Sequence, residues 1–324
     1  MLQKTLGRTG LTVSILGVGG HTYPVGDGAD DFCTPDQRAD LIQRLVSGGV
    51  NYFDTTWMNE VELLADSFRR AAVKIQVQVS MQYVDGISDP RWRQNLRSEL
   101  EKRLEVMGYD RAPLFIMGVG NERPPVAEIA AACEAMQALK AEGLIQNIGL
   151  SCHEISAFDR IADVIEATDL VDYMMIRYNW KYPQAGTRLL PLAKQRNIGL
   201  VAMKVFCWDC GPDNWGRRIS VFEPVQAGQP PMLPAPGQPM NAAQRSLLWC
   251  LHSAPFATTV PSINAPWEAE QLLQAVAGPF PTDLTADFDL FRDRLYDPEE
   301  LGLLAAGAES AAIRDRASRL QSQL

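Results

Sequence analysis

Several short apolar runs in this sequence end in side chains that can move a proton or hold an anion. Asp54 closes the run Val50-Asn51-Tyr52-Phe53-Asp54, His21 follows Gly19-Gly20, and His153 follows Ser151-Cys152. Arg177 and Lys204 end two later runs, and Gln82 with Tyr83 ends another. A carboxyl group and an imidazole suffice for general acid–base work, because both can be tuned to exchange a proton near neutral pH. Asp54, His21, His153 and Lys204 are therefore the catalytic candidates, with Lys204 offering a Schiff-base amine or a phosphate contact. Trp57, Tyr83, Arg177, Tyr178 and Asn179 are the substrate-binding candidates, since a guanidinium grips a carboxylate in two places and the aromatic rings suit a flat or apolar ligand. Each has a plainer reading: Asp54 could only bond nearby backbone, His153 could be a satisfied, partly buried imidazole, and Arg177 could pair with a neighbouring acid.

Those groups need a scaffold that gathers them. Apolar runs with β-branched content predict strands at 15–18, 50–54, 75–80, 114–117, 147–150, 173–178, 199–204 and 257–261. Between them lie stretches of helical period, such as Val126, Ile129, Ala132, Met136 and Leu139, with Gly143 suited to the helix end. Pro266 is suited to the first turn of another helix. Strands alternating with helices at this spacing imply parallel βα units, and eight of them imply a single-domain (β/α)8 TIM barrel over 1–324. No Gly-x-Gly-x-x-Gly follows the first strand, which disfavours an open doubly wound sheet.

Three pieces fall outside the repeat. Residues 1–14 read as an N-terminal β-hairpin turning at Arg8-Thr9-Gly10. Residues 206–240 are a Pro/Gly-rich loop after strand seven, on the face where barrels bind ligands. Residues 284–324 read as a C-terminal helical tail. Cys207-Trp208-Asp209-Cys210 has C-x-x-C spacing but lies in the loop, so no metal site is expected. Trp180, Trp208 and Trp215 fall in mouth loops like Trp57.

Composition narrows the partners. A formal net charge of −9 leaves no basic surplus for nucleic acid or anionic membrane. No run reaches the eighteen or so apolar residues of a membrane span. Six scattered cysteines make no disulfide framework, so a cytoplasmic protein acting on a small molecule is expected. The sequence specifies neither the substrate nor the oligomeric state.

Four segments in order add a resemblance: Leu6-Gly-Arg-Thr-Gly-Leu-Thr-Val-Ser-Ile-Leu-Gly17, Gly49-Val-Asn-Tyr-Phe-Asp-Thr55, Gly143-Leu-Ile-Gln-Asn-Ile-Gly-Leu-Ser151 and Ile198-Gly-Leu-Val-Ala-Met-Lys204. The chain resembles the aldo-keto reductases from residue 1 to about 280. The resemblance implies a nicotinamide cofactor across the barrel mouth, a tyrosine acid tuned by a lysine and an aspartate, and a histidine that orients substrate. Asp54 matches the aspartate. Asn59 stands where the tyrosine should, Met81 where the lysine should, and Gly118 where the histidine should. Ser151 matches a serine that binds the nicotinamide amide, with Cys152 beside it and Ser262 a weaker cofactor contact. Met175 replaces a glutamine, and Glu268 stands near the place that grips the 2′-phosphate, where an anion is repulsive. The resemblance thus implies no cofactor, or weakly bound NAD(P)H.

Three functions follow. The altered site favours acid/base chemistry of lyase, dehydratase or isomerase type on a small organic substrate. The alternatives are an NAD(P)H-dependent oxidoreductase with a substitute proton donor, and a non-catalytic binding or regulatory protein.

Overall fold

The computed structural model describes residues 1–20, 34–73, 77–83, 87, 89–119, 124–153, 157–179, 185, 187–206, 240, 242–263 and 265–278. The apolar runs form a parallel sheet because each is buried on both faces, as crossover helices require. In order round the sheet its strands are β3 (Tyr52–Thr55), β4 (Gln78–Tyr83), β5 (Leu114–Gly118), β6 (Ile148–Cys152), β7 (Tyr173–Arg177), β8 (Gly199–Met203) and β9 (Thr258–Thr259). Residues 15–18 close the circle through two parallel bridges, Leu16 to Thr259 and Val18 to Phe53. The architecture is a (β/α)8 barrel.

The outer ring consists of α1 (Pro35–Ser47), α2 (Met58–Arg70), α3 (Trp92–Met107), α4 (Val126–Ala141), α5 (Phe158–Ala167), α6 (Leu189–Gln195), α7 (Ala242–Ser253) and α8 (Pro266–Ala277). Local chemistry sets their ends. Thr34 Oγ1 accepts from the Gln37 amide at 3.3 Å while Gln37 Oε1 accepts from the Thr34 amide at 2.8 Å, a reciprocal cap on α1. Pro266 occupies the first turn of α8, and Gly143 follows α4 with φ +84.

Strand alternation divides the apolar side chains in two. Tyr52, Leu114, Ile116, Tyr173, Met175 and Val201 fill the lumen. Phe53, Phe115, Met117, Leu150, Met174 and Leu200 pack outward against the helices. Burial of each such side chain contributes about 1.5–3 kcal/mol.

The hairpin of β1 (Gln3–Thr5) and β2 (Thr12–Ser14) is antiparallel and sends Leu6 and Val13 into the lumen core. It stoppers the N-terminal end of the barrel. Gly7 (φ +49) bridges to Ile198, and a Cβ there would lie 2.2 Å from the Gly199 nitrogen, so no other residue fits.

Two expectations shift. The strand predicted at 75–80 is observed at Gln78–Tyr83, and the first strand, 15–18, is joined to its neighbours by single bridges. Of the 206–240 loop only Phe206 and Met240 are among the described residues, and the 284–324 tail lies outside them.

Candidate functional site

Asp54 is on β3 in register with Ser80, on the same face as the lumen residue Tyr52. It is 5% exposed, and Oδ1 is buried with no hydrogen-bond partner. Burial, and then the neighbouring Glu60 carboxylate, push its carboxyl up to about 8; the Ser80 hydroxyl and the Gly20 and Thr55 amides pull only partly the other way. Asp54 is therefore mostly protonated at neutral pH. Glu60 is fully buried in the first turn of α2, where its carboxylate accepts from the Thr56 amide at 2.5 Å and the Trp57 amide at 3.2 Å. The positive end of the helix dipole favours an acidic side chain there.

Below Asp54, Ser80 Oγ lies 3.3 Å from the Tyr173 hydroxyl. Burial holds the Tyr52 and Tyr173 phenols well above their ordinary value, so they form a neutral floor. Above it, Gln82 and Ser151 face the lumen, because Met81, Tyr83, Leu150 and Cys152 on the same strands face the helices. Ser151 is 2% exposed, and its Oγ has no hydrogen-bond partner. Gly118, paired with Ser151 across β5 and β6, leaves the wall between Gln82 and Ser151 without a side chain.

The structure corrects several placements read from sequence. Met81 does not face the site; the lumen position at that height belongs to Gln82. A one-residue offset exchanges the faces of a strand, and β4, buried on both faces, carries no polarity signal to set it. Of the pair Gln82–Tyr83, the tyrosine packs in the outer shell at 1% exposure. Tyr178 also belongs to that shell, its ring centroid 5.3 Å from Trp249 and 4.8 Å from Phe256. Cys152 is fully buried among the same shell residues, away from the lumen.

The remaining candidates are at the mouth or beside it. Arg177, nearly fully buried, shares the lumen face of β7 with Tyr173 and Met175, four strands from Asp54. Asn179, with no exposed surface, donates from Nδ2 to the Lys204 carbonyl at 2.7 Å. Lys204 follows β8 with φ +58, and His153 follows β6; both are half-buried, and each is three strands from Asp54. Trp57 is 47% exposed between β3 and α2. Ser262 is half-buried after β9, and Glu268 has no exposed surface in the first turn of α8. His21, Cys207, Cys210, Trp180, Trp208 and Trp215 lie outside the described residues. Among the described residues no group of three His, Cys, Asp or Glu is placed to hold a metal, and no helix is long and apolar enough to cross a membrane.

Glu60 escapes a sequence reading. Its only signal is an acid three residues into a helix that starts soon after a strand, which reads as a cap.

A model of the aldo/keto reductase family matches residues 16–207, from the first barrel strand past β8. The chain belongs to the aldo/keto reductase family. The barrel agrees with solved aldo/keto reductases. A Bacillus halodurans enzyme in its holo form superposes with a TM-score of 0.65 at 16% identity, over 92% of this chain and 97% of that one. A Pseudomonas aeruginosa protein assigned to the family gives 0.63 at 19% identity, over 85% and 94%. A D-threo-aldose 1-dehydrogenase from a Pseudomonas species is 28% identical over 115 residues, which is 35% of this chain and 34% of that relative's length.

Proposed function

We propose that this aldo/keto reductase interconverts a carbonyl and an alcohol with a nicotinamide cofactor, using the Asp54 carboxyl as its proton donor and acceptor. The observation that carries the reading is a neutral carboxyl at the lumen end of β3, its Oδ1 unbonded and its pKa pushed up to about 8. A group poised that close to working pH is suited to both directions of proton transfer. In reduction, Asp54 gives its proton to the substrate oxygen and is left as the carboxylate. Solvent then reprotonates it. In oxidation, the carboxylate takes the hydroxyl proton. The nicotinamide, when bound, supplies or accepts the hydride.

Ser151 fits such a cofactor, since its buried, unpartnered Oγ meets a carboxamide better than it meets empty space. Cys152 does not, because it faces the helices. Glu268, buried in the first turn of α8, supplies no cation for a 2′-phosphate there, which is the ground for weak NADPH binding.

The aldose dehydrogenase relative suggests a small hydroxy-carbonyl compound, such as an aldose, as the substrate class. Trp57 offers an exposed ring three residues from Asp54 for its less polar face. Cys133, Cys152 and Cys250 are buried and form no disulfide, which suits a reducing cytoplasm. The same neutral carboxyl would serve a dehydration, the chemistry favoured on sequence. Family membership and the dehydrogenase relative weigh instead for oxidoreduction. Neither His153 nor Lys204 is among the groups that shift the Asp54 proton; the neighbouring carboxylate is Glu60.

The test is turnover of D-threo-aldoses with NAD and NADP, beside a titration of NADPH followed by nicotinamide fluorescence. Turnover with NAD and a weak NADPH isotherm are expected. A sub-micromolar NADPH dissociation constant would overturn the reading of Glu268, and no turnover with either nucleotide would overturn the oxidoreductase.

A further inference from the structure

We propose that the side-chain amide of Gln82 binds and orients the reacting oxygen of the substrate, and that residue 118 is glycine to make room for that amide. The proposal rests on the oxidoreductase reading for what the oxygen belongs to, but the geometry stands by itself.

Gln82 is 7% exposed and on the lumen face of β4, and its amide makes no hydrogen bond to a described residue. An amide on the lumen face that bonds to no neighbouring side chain is open to a ligand in the barrel mouth. The place of the amide is defined by its neighbour. A Cβ built on Gly118 would lie 3.0 Å from Gln82 Nε2 and 3.6 Å from the Tyr83 carbonyl oxygen, the only atoms of the described residues within 4 Å. Any larger side chain at 118 would therefore compete with the amide for one volume.

Asp54, Gln82 and Ser151 share the lumen face on that side of the barrel. Gln82 is on the strand next to Asp54, two residues further toward the mouth than Ser80, the register partner of Asp54. Ser151 pairs with Gly118 from the other side, so the Gln82 amide and the Ser151 hydroxyl flank the same glycine. Asp54 Oδ1 and Ser151 Oγ are buried without hydrogen-bond partners. A carbonyl oxygen placed there would accept one hydrogen bond from Gln82 Nε2 and one from the protonated Asp54. As the oxygen gains negative charge in the transition state, both bonds strengthen. A carboxamide does not titrate between about pH 4 and 10, so this donor leaves the pH dependence of turnover to Asp54 alone.

Binding and turnover test this separately. In the 15N-labelled full chain, the Gln82 side-chain amide resonances are assigned by their loss in Gln82→Leu and followed during titration with acetone, a minimal carbonyl probe. A saturable shift of these resonances is expected, together with its weakening in Gly118→Ala, where the added methyl takes the place of Nε2. A Gln82 amide that does not move at any acetone concentration preserving the fold overturns the proposal. In turnover of an aldose with NAD, Gln82→Leu is expected to lower kcat/KM by roughly 10²-fold with an unchanged NADH dissociation constant. Wild-type kcat/KM in Gln82→Leu also overturns it. If the wild-type chain turns over nothing with either nucleotide, the oxidoreductase reading fails, and the acetone titration still decides whether Gln82 is the oxygen-binding group.

Discussion

The two ends of this barrel treat polar groups in opposite ways. At the N-terminal end the charged groups are mostly paired, although Arg8 Nε reaches Asp172 only at 3.5 Å. Arg8 in the hairpin turn donates to Asp169 Oδ1 at 2.5 Å and to the Val171 carbonyl at 2.5 Å. Asp172 accepts from Lys140 Nζ at 2.6 Å and from the Ile148 amide at 2.9 Å. Asn51 accepts from the Ser14 amide at 2.7 Å and donates to the Thr12 carbonyl at 2.9 Å, fastening the hairpin to β3. At the C-terminal end, Asp54 Oδ1 and Ser151 Oγ are buried with no such partners. One end is arranged for stability, while the other retains an unfavourable arrangement that a ligand would relieve.

The largest effect should come from Asp54→Asn. We expect kcat to fall roughly 10³-fold, since the acid–base group is lost. We also expect the variant to be more stable than the wild type at about pH 8, because no carboxyl has to be kept neutral or buried charged. The sign follows from the raised pKa. Between about pH 4 and 8 the folded chain holds a proton on Asp54 that the unfolded chain has released. The contribution of Asp54 to stability is thus full below about pH 4 and is lost as pH rises through about 8. The decline should amount to about 6 kcal/mol at most, since stability falls by about 1.4 kcal/mol for each pH unit that separates the unfolded from the folded pKa. Chemical denaturation across pH should find this decline in the wild type only. Equal stability–pH curves for the two proteins would mean Asp54 is not held neutral.

Next in size is the opposite experiment at the other end. Asp172→Ala should cost about 3 kcal/mol by urea denaturation, because it strands Lys140 and leaves the Ile148 amide unpaired, while kcat/KM stays within about twofold. A large loss of activity at unchanged stability would erase the division between the two ends.

The smallest is Ser151→Ala. Loss of one hydroxyl partner should weaken NADH binding by about fivefold, as for a single hydrogen bond of about 1 kcal/mol, with stability unchanged or slightly raised. Fluorescence titration beside thermal melts measures both, and tight NADH binding in the variant would free Ser151 from the cofactor.

The scaffold was largely legible. Apolar runs separated by helical periods specify eight βα units, and six of the predicted strands agree with the observed ones to within two residues at each end. The hairpin and the placement of Asp54 and Ser151 at strand ends were legible too. The facing of β4, β6 and β7 was not. Cys152, Tyr83 and Tyr178 occupy strand ends as predicted, but their side chains turn to the helices. A strand buried on both faces lacks the alternation that would distinguish lumen from shell.

By itself, then, the sequence determines the order of elements, the closure into a barrel and the identity of a carboxyl at the end of β3, because these depend on local periodicity and spacing. Which neighbours that carboxyl has is decided only in three dimensions. Its pKa of about 8 comes from burial and from Glu60, and the pairing of Gln82 with the space over Gly118 joins residues on separate strands. Desolvation and Coulomb interactions depend on distances through the closed barrel, which no stretch of local sequence contains.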